Sequence, residues 1–161
     1  MRGCWGKGLP KIDAMFVHLR LHSEFSVVDG TTRIDEVVKA AAADGSTFEG
    51  MASVYNVLDG YNEIVAPGAF SKSLKRYMEK PILRFMHSTP VGLATRTVEM
   101  ADGLMIAGKI SNTTVGADCR TLLADRVIGS LSIGFSTVSS MRLDGEESVK
   151  KYWADAGYQP S

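Results

Sequence analysis

A serine hydroxyl attacks a carbonyl only when a base takes its proton and a rigid backbone holds it with open space in front. The run Gly129-Ser130-Leu131-Ser132-Ile133-Gly134-Phe135 offers that backing. Leu131, Ile133 and Phe135 alternate with Ser130, Ser132, Gly134 and Ser136, the period-two pattern of a half-buried strand. One face anchors the strand, and the other presents the Ser132 hydroxyl among residues with small side chains. An ordinary surface serine fits the same pattern, so the base has to decide. The chain has three histidines, His18, His22 and His87, and an imidazole suits the task because its pKa lies near ambient pH. His87 closes one expected strand and Ser132 lies inside a later one; neighbouring strands of a small sheet would bring them within hydrogen-bond reach. A carboxylate commonly orients such an imidazole. Asp144, Glu146 and Glu147 are the nearest acids after Ser132, in a turn whose charge run is more often a solvated loop than a site. Backbone amides near Ser132 and Gly134 are the candidates for an oxyanion hole.

Other chemistries fit less well. His18 and His22, four residues apart, would suit one metal ion on a helix, but on a strand they lie about 13 Å apart. Cys4 and Cys119 have no metal-ligand spacing and suit a reduced compartment. No metal and no cofactor is expected. Eighteen basic residues balance eighteen acidic ones, which leaves no electrostatic footprint for nucleic acid or an anionic membrane. The start of the chain carries no apolar signal-peptide core, and no apolar run is long enough to span a bilayer. A hydrophobic content of 45% with 22% charged residues is that of a globular protein.

The elements that must position these residues follow from periodicity and turn chemistry. Residues 1–14 read as a disordered leader, with Met15 as an alternative start, and Phe16–Leu21 as a short strand. Ile34, Val37, Val38, Ala41 and Ala42 mark an amphipathic helix, with Thr32 and Asp35 as its capping box and Gly45 as its stop. The stretch 15–46 is thus a βα fragment that cannot bury its apolar face alone. From residue 47 the texture changes. Phe48–Tyr55 reads as a strand and Asn56–Glu63 as a polar loop; Pro67 opens a helix striped by Phe70, Leu74, Tyr77 and Met78. Pro81–Met86 is the strand that ends at His87. Val91–Met100 and Leu104–Ile110 form a hairpin about Ala101-Asp102-Gly103. A second helix begins at Thr114 with Val115, Cys119, Leu122, Leu123 and Val127 on one face, and the Ser132 strand follows. Beyond Ser140 the pattern fades into an irregular tail over 141–161, where Trp153 and Tyr158 either dock on the body or hang loose. The fold class is α+β: a small, mostly antiparallel sheet or barrel with two or three helices.

Five blocks give a resemblance: Phe48-Glu49-Gly50-Met51-Ala52-Ser53-Val54-Tyr55; Ile64-Val65-Ala66-Pro67-Gly68-Ala69-Phe70-Ser71-Lys72-Ser73-Leu74; Phe85-Met86-His87 with Pro90-Val91-Gly92; Gly103-Leu104; and Gly129 to Phe135. In order and spacing, residues 47–139 resemble the prohead maturation serine proteases of tailed bacteriophages, whose fold is related to herpesvirus assemblin. The resemblance implies Ser132 as nucleophile and His87 as general base. It implies phage scaffold and major capsid proteins as substrates, inside the assembling prohead in the cytoplasm of the bacterial host. The family's later strand, expected to carry the acidic third member, has no match after Ser140, so the resemblance implies a fold incomplete at its C-terminal end. Separately, residues 16–45 resemble the start of bacterial DNA polymerase III α subunits, whose metal-dependent relatives use a His-x-His pair; Arg20 and His22 stand at those positions.

Two further readings stay open on these residues: a catalytically inactive capsid-assembly or scaffold-binding remnant, and a fragment of a polymerase α subunit. Neither nucleic acid nor membrane is an expected partner, and a homo-oligomer is compatible with the sequence.

Overall fold

Asp102 and Gly103 turn the chain between β5 (Thr89–Glu99) and β6 (Gly103–Ile110), as the Asp-Gly pair predicts, with Met100 N donating to Gly103 O at 2.7 Å. The computed structural model describes residues 12–20, 38–59 and 62–160. On the other side of β6 lies β3 (Thr47–Val54), followed by the short β2 (Val38–Ala41). β4 (Ile82–Phe85) pairs with β5, β1 (Ile12–Arg20) with β4, and β7 (Ser130–Thr137) with β1. The sheet order is β2-β3-β6-β5-β4-β1-β7, antiparallel throughout except between β1 and β4. β7 curls round toward β3, but no ladder joins them, so the sheet stays open with β2 and β7 as its edges. Helices α1 (Ser73–Glu79), α2 (Thr114–Ala124) and α3 (Gly145–Asp155) complete an α+β fold among the described residues.

The core sits over the middle of the sheet. β6 has a partner strand on each edge and buries Leu104, Ile106 and Ile110, against Phe48 of β3, Leu83 of β4 and Val91 of β5. α2 adds Cys119 and Leu123, and its start is capped by Thr113, whose hydroxyl accepts from Gly116 N at 3.0 Å. Val115 and Val127, expected on the same face, are exposed. The buried stripe is the narrower Gly116, Cys119, Leu123 row, and Val127 lies past the helix end, where Arg126 takes a positive φ of 59°.

Four other expectations are corrected. The helix expected up to Gly45 is, at Val38–Ala41, the strand β2 paired with β3. A short apolar run serves either element, and here the tertiary partner decides. Gly45 is the turn of that hairpin, at φ +66°, where a Cβ would lie 2.0 Å from Arg120 O, so only glycine fits. Ile34, Val37, Thr32 and Asp35 lie outside the described residues, as do residues 1–11. Second, Ile12–Ala14, expected within a disordered leader, belong to β1, and both described strands of the 15–46 stretch are members of the one sheet. Third, the helix expected from Pro67 begins only at Ser73, because Gly68 at φ +77° keeps the preceding segment in turns; Phe70 and Tyr77 are still buried. Fourth, the expected irregular tail contains α3. Its inner face carries Tyr152, whose hydroxyl donates to Asn56 Oδ1 at 2.9 Å, and Trp153, whose Nε1 donates to Asn56 O at 2.7 Å. Trp153 also packs its ring 6.1 Å from that of Tyr158.

Candidate active site

Ser132 lies in the first half of β7, half-buried, with Leu131 set into the core beside it. Its hydroxyl makes a long 3.5 Å hydrogen bond to the carbonyl of Ile133, well beyond the usual span for such a bond. The expected alternation is kept only in part. Ser130, on the face assigned to small polar residues, is 4% exposed, whereas Phe135, assigned to the anchored face, is 38% exposed. β7 runs out of the core as it proceeds, so both of its faces lose burial along its length.

His87 lies in the turn that joins β4 to β5 and is exposed. Met86 and His87 both have positive φ, 49° and 64°, the left-handed pair of a mirror-image turn. Ser88 N donates to Phe85 O at 3.2 Å, and Arg84 Nη1 donates to Ser88 O at 2.7 Å. Two consecutive left-handed non-glycine residues carry a conformational cost that such bonds must offset.

β1 occupies the position between β4 and β7. The strand that leads to His87 and the strand that carries Ser132 are therefore two inter-strand spacings apart, roughly 10 Å. The three acids lie at the start of α3 and just before it, exposed, and each is engaged by a basic side chain of its own segment. Arg142 Nε meets Asp144 at 2.8 Å, and Lys150 Nζ meets Glu146 at 2.8 Å and Glu147 at 3.4 Å. The hydrogen bond from Lys150 holds the Glu146 carboxyl below its ordinary pKa. Gly134 faces Phe16 across the β1–β7 ladder.

His18 is the register partner of Ser132 on β7 and of Arg84 on β4. Which strands β1 would join was not legible in the sequence. His22 and Cys4 lie outside the described residues. Cys119 is buried, and desolvation pushes its thiol up to about 11, so it is neither a ready nucleophile nor a metal ligand. Among the described residues no three His, Cys, Asp or Glu side chains gather as a metal site.

A groove of about 850 Å³ runs between the segment around Ile64–Ala69, the end of β7 and α3. Phe135 and Thr137 line it. These share the strand face of Leu131 and Ile133, whereas Ser132 belongs to the opposite face. The groove flanks the serine strand without fronting its hydroxyl.

Comparison with known proteins agrees with the five sequence blocks. The family described as caudovirus prohead serine protease matches residues 32–154, a span that includes both His87 and Ser132. The prohead protease of Enterobacteria phage HK97 is 33% identical over 112 residues, covering 66% of this chain and 50% of its own length. The DNA polymerase III subunit alpha of Aquifex aeolicus (strain VF5) is 41% identical over 68 residues, covering 42% of this chain and 5% of its own. This chain thus spans about half the length of the phage relative, and the two likenesses together exceed the whole chain, so they share residues. No solved structure matches. With the family match extending over most of its length, the chain belongs to the caudovirus prohead serine proteases.

Proposed function

We propose that the chain is a serine endopeptidase of prohead maturation, with Ser132 as nucleophile and a histidine base, His87 by the family resemblance. The observation that carries the reading is the family match over 32–154, together with the serine strand and the histidine turn within it. Ser132 transfers its proton to the imidazole as it attacks a peptide carbonyl, and the tetrahedral oxyanion is met by backbone amides near Ser132 and Gly134. The imidazolium returns the proton to the leaving amine, and water then hydrolyses the acyl-enzyme. The substrates are the scaffold and the amino-terminal segment of the major capsid protein, cut inside the assembling prohead in the host cell. Among the described residues no helix is long and apolar enough to cross a membrane.

A fluorophosphonate probe tests the assignment. The chain labels, and Ser132→Ala abolishes labelling; equal labelling of the two proteins overturns it. A second reading, a scaffold-binding protein that does not cleave, is favoured by one observation. Asp144, Glu146 and Glu147 are all engaged by Arg142 or Lys150, which leaves none of them as a ready orienting acid. Capsid-protein binding without labelling would select that reading. The polymerase reading is set aside, since the likeness covers 5% of the polymerase subunit.

A further inference from the structure

The β4–β5 ladder is interrupted just before the histidine turn that it has to hold. Its register shifts between Leu83 and Arg84, and Arg84 then faces Pro90, which has no N–H to give to the ladder. Phe85 and Thr89 form the last pair, and Met86 and His87 follow with φ of 49° and 64°. Glycine and asparagine take such left-handed positions at low cost, whereas methionine has no local hydrogen bond with which to offset it. The Arg84 side chain reaches over the turn. Its Nη1 donates to Ser88 O at 2.7 Å, the short span of a charge-assisted bond. With Ser88 N donating to Phe85 O at 3.2 Å, this ties the chain before His87 to the chain after it. An exposed bond of this kind contributes little to global stability, but it fixes a direction. Direction matters here because β1 separates the strand that leads to His87 from the strand that carries Ser132. The left-handed φ at His87 sets where its Cβ leaves the backbone, and an imidazole thrown elsewhere would not meet a hydroxyl beyond an intervening strand.

We propose that Arg84, by bonding Ser88 O over the turn, is a positioning residue for His87: it holds the left-handed turn that aims the imidazole at the serine strand. The inference rests on the reading of His87 as base and Ser132 as nucleophile. In this role Arg84 touches neither the substrate nor the reacting atoms, and it moves no proton. It keeps the turn in one conformation, so that the imidazole need not be ordered anew at each attack.

The test reads the rate of fluorophosphonate labelling of the intact chain at neutral pH, after circular dichroism shows that each variant retains the wild-type spectrum. Arg84→Met keeps the aliphatic stem and removes the donors. It is expected to slow labelling by about 10- to 100-fold, the scale of a misplacement of about 1 Å. Arg84→Lys, which retains a charged donor, is expected to recover part of that rate. So is Met86→Asn added to Arg84→Met, because asparagine favours the left-handed turn without the arginine. In a His87→Gln background, Arg84→Met is expected to cost nothing further, since it acts only through that histidine; a merely structural role would not give this result. Arg84→Met labelling at the wild-type rate, an undiminished loss in the His87→Gln background, or no recovery by either compensating change overturns the proposal. With His87→Gln itself slow, such a failure leaves the base assignment standing. His87→Gln labelling at the wild-type rate overturns His87 as base, and this inference with it. Wild-type labelling no greater than that of Ser132→Ala overturns the nucleophile and both readings that depend on it.

Discussion

The two sides of the sheet are built differently. From β3 through β6 and β5 to β4, β5 joins each neighbour by a tight turn, and each of the four strands buries apolar side chains in one core, with Leu83, Leu104 and Ile106 fully enclosed. On the other side, β1 and β7 come from opposite ends of the sheet-forming sequence, Ile12 facing Thr137 and Arg20 facing Ser130. The far end of β7 leaves the core, with Phe135 partly exposed. On the first side the β4–β5 and β5–β6 pairings are local and short turns make them cheap in entropy, although β3 reaches β6 only across an intervening segment; the second side depends wholly on closing a long loop before its contacts form. The lesson is that the strand of the proposed nucleophile lies on the second side, while His87 is carried by the β4–β5 turn of the first. The buried half acts as scaffold, and the serine strand is held against it by a partner distant in sequence.

Substitutions can break or sharpen this contrast. The largest effect is expected in the scaffold half: Leu104→Ala removes a fully buried side chain and should cost about 2–5 kcal/mol, read from the urea midpoint. A loss below about 1 kcal/mol would show that the core is not concentrated there. Next comes the strap that α3 makes onto the loop after β3. Tyr152→Phe deletes the 2.9 Å bond to Asn56 Oδ1 and should cost about 1 kcal/mol, since buried Asn56 then loses a partner. On the serine side, Phe135→Ala should cost less than about 1 kcal/mol, because much of that ring is already in water. A cost equal to that of Leu104→Ala would erase the comparison.

A further effect is confined to alkaline pH. Burial raises the Cys119 thiol from 9.0 to about 11. The unfolded thiol ionises first, so above pH 9 the unfolded state binds fewer protons than the native one. Stability should therefore fall as pH rises from about 9 to 11 and be unaffected by this group below that window. Cys119→Ala should flatten this part of the alkaline slope in urea midpoints; an unchanged slope would mean that the thiol is already accessible to water in the native state.

Much of the scaffold was legible. The β5–β6 hairpin announced itself through Asp102-Gly103, and α2 through its cap and its Cys119, Leu123 row. Where the reading failed, two elements shared one local pattern. Val38 and Ala41 fit a helix face as well as a strand, and only pairing with β3 settled the choice. Pro67 promised a helix start that Gly68 forestalled. α3 was hidden because Glu146 and Glu147 read as a solvated turn, although acids in a first turn also suit the positive end of a helix dipole. The signal that would have revealed it is Val149, Tyr152 and Trp153 at helical spacing before Gly157.

For the site, Ser132 and His87 are proposed from strand context and family likeness; the three histidines narrow the choice of base, whereas serine is common in the chain and its strand context has to single one out. The sequence by itself thus determined the family, the fold class and the strand that carries the serine. Only the tertiary structure decided that β1 lies between β4 and β7, that His18 stands opposite Ser132, and that the three acids are engaged by Arg142 and Lys150. The reason is physical. Strand pattern specifies which face of a strand is buried, but which strands become neighbours depends on packing between residues far apart in the chain.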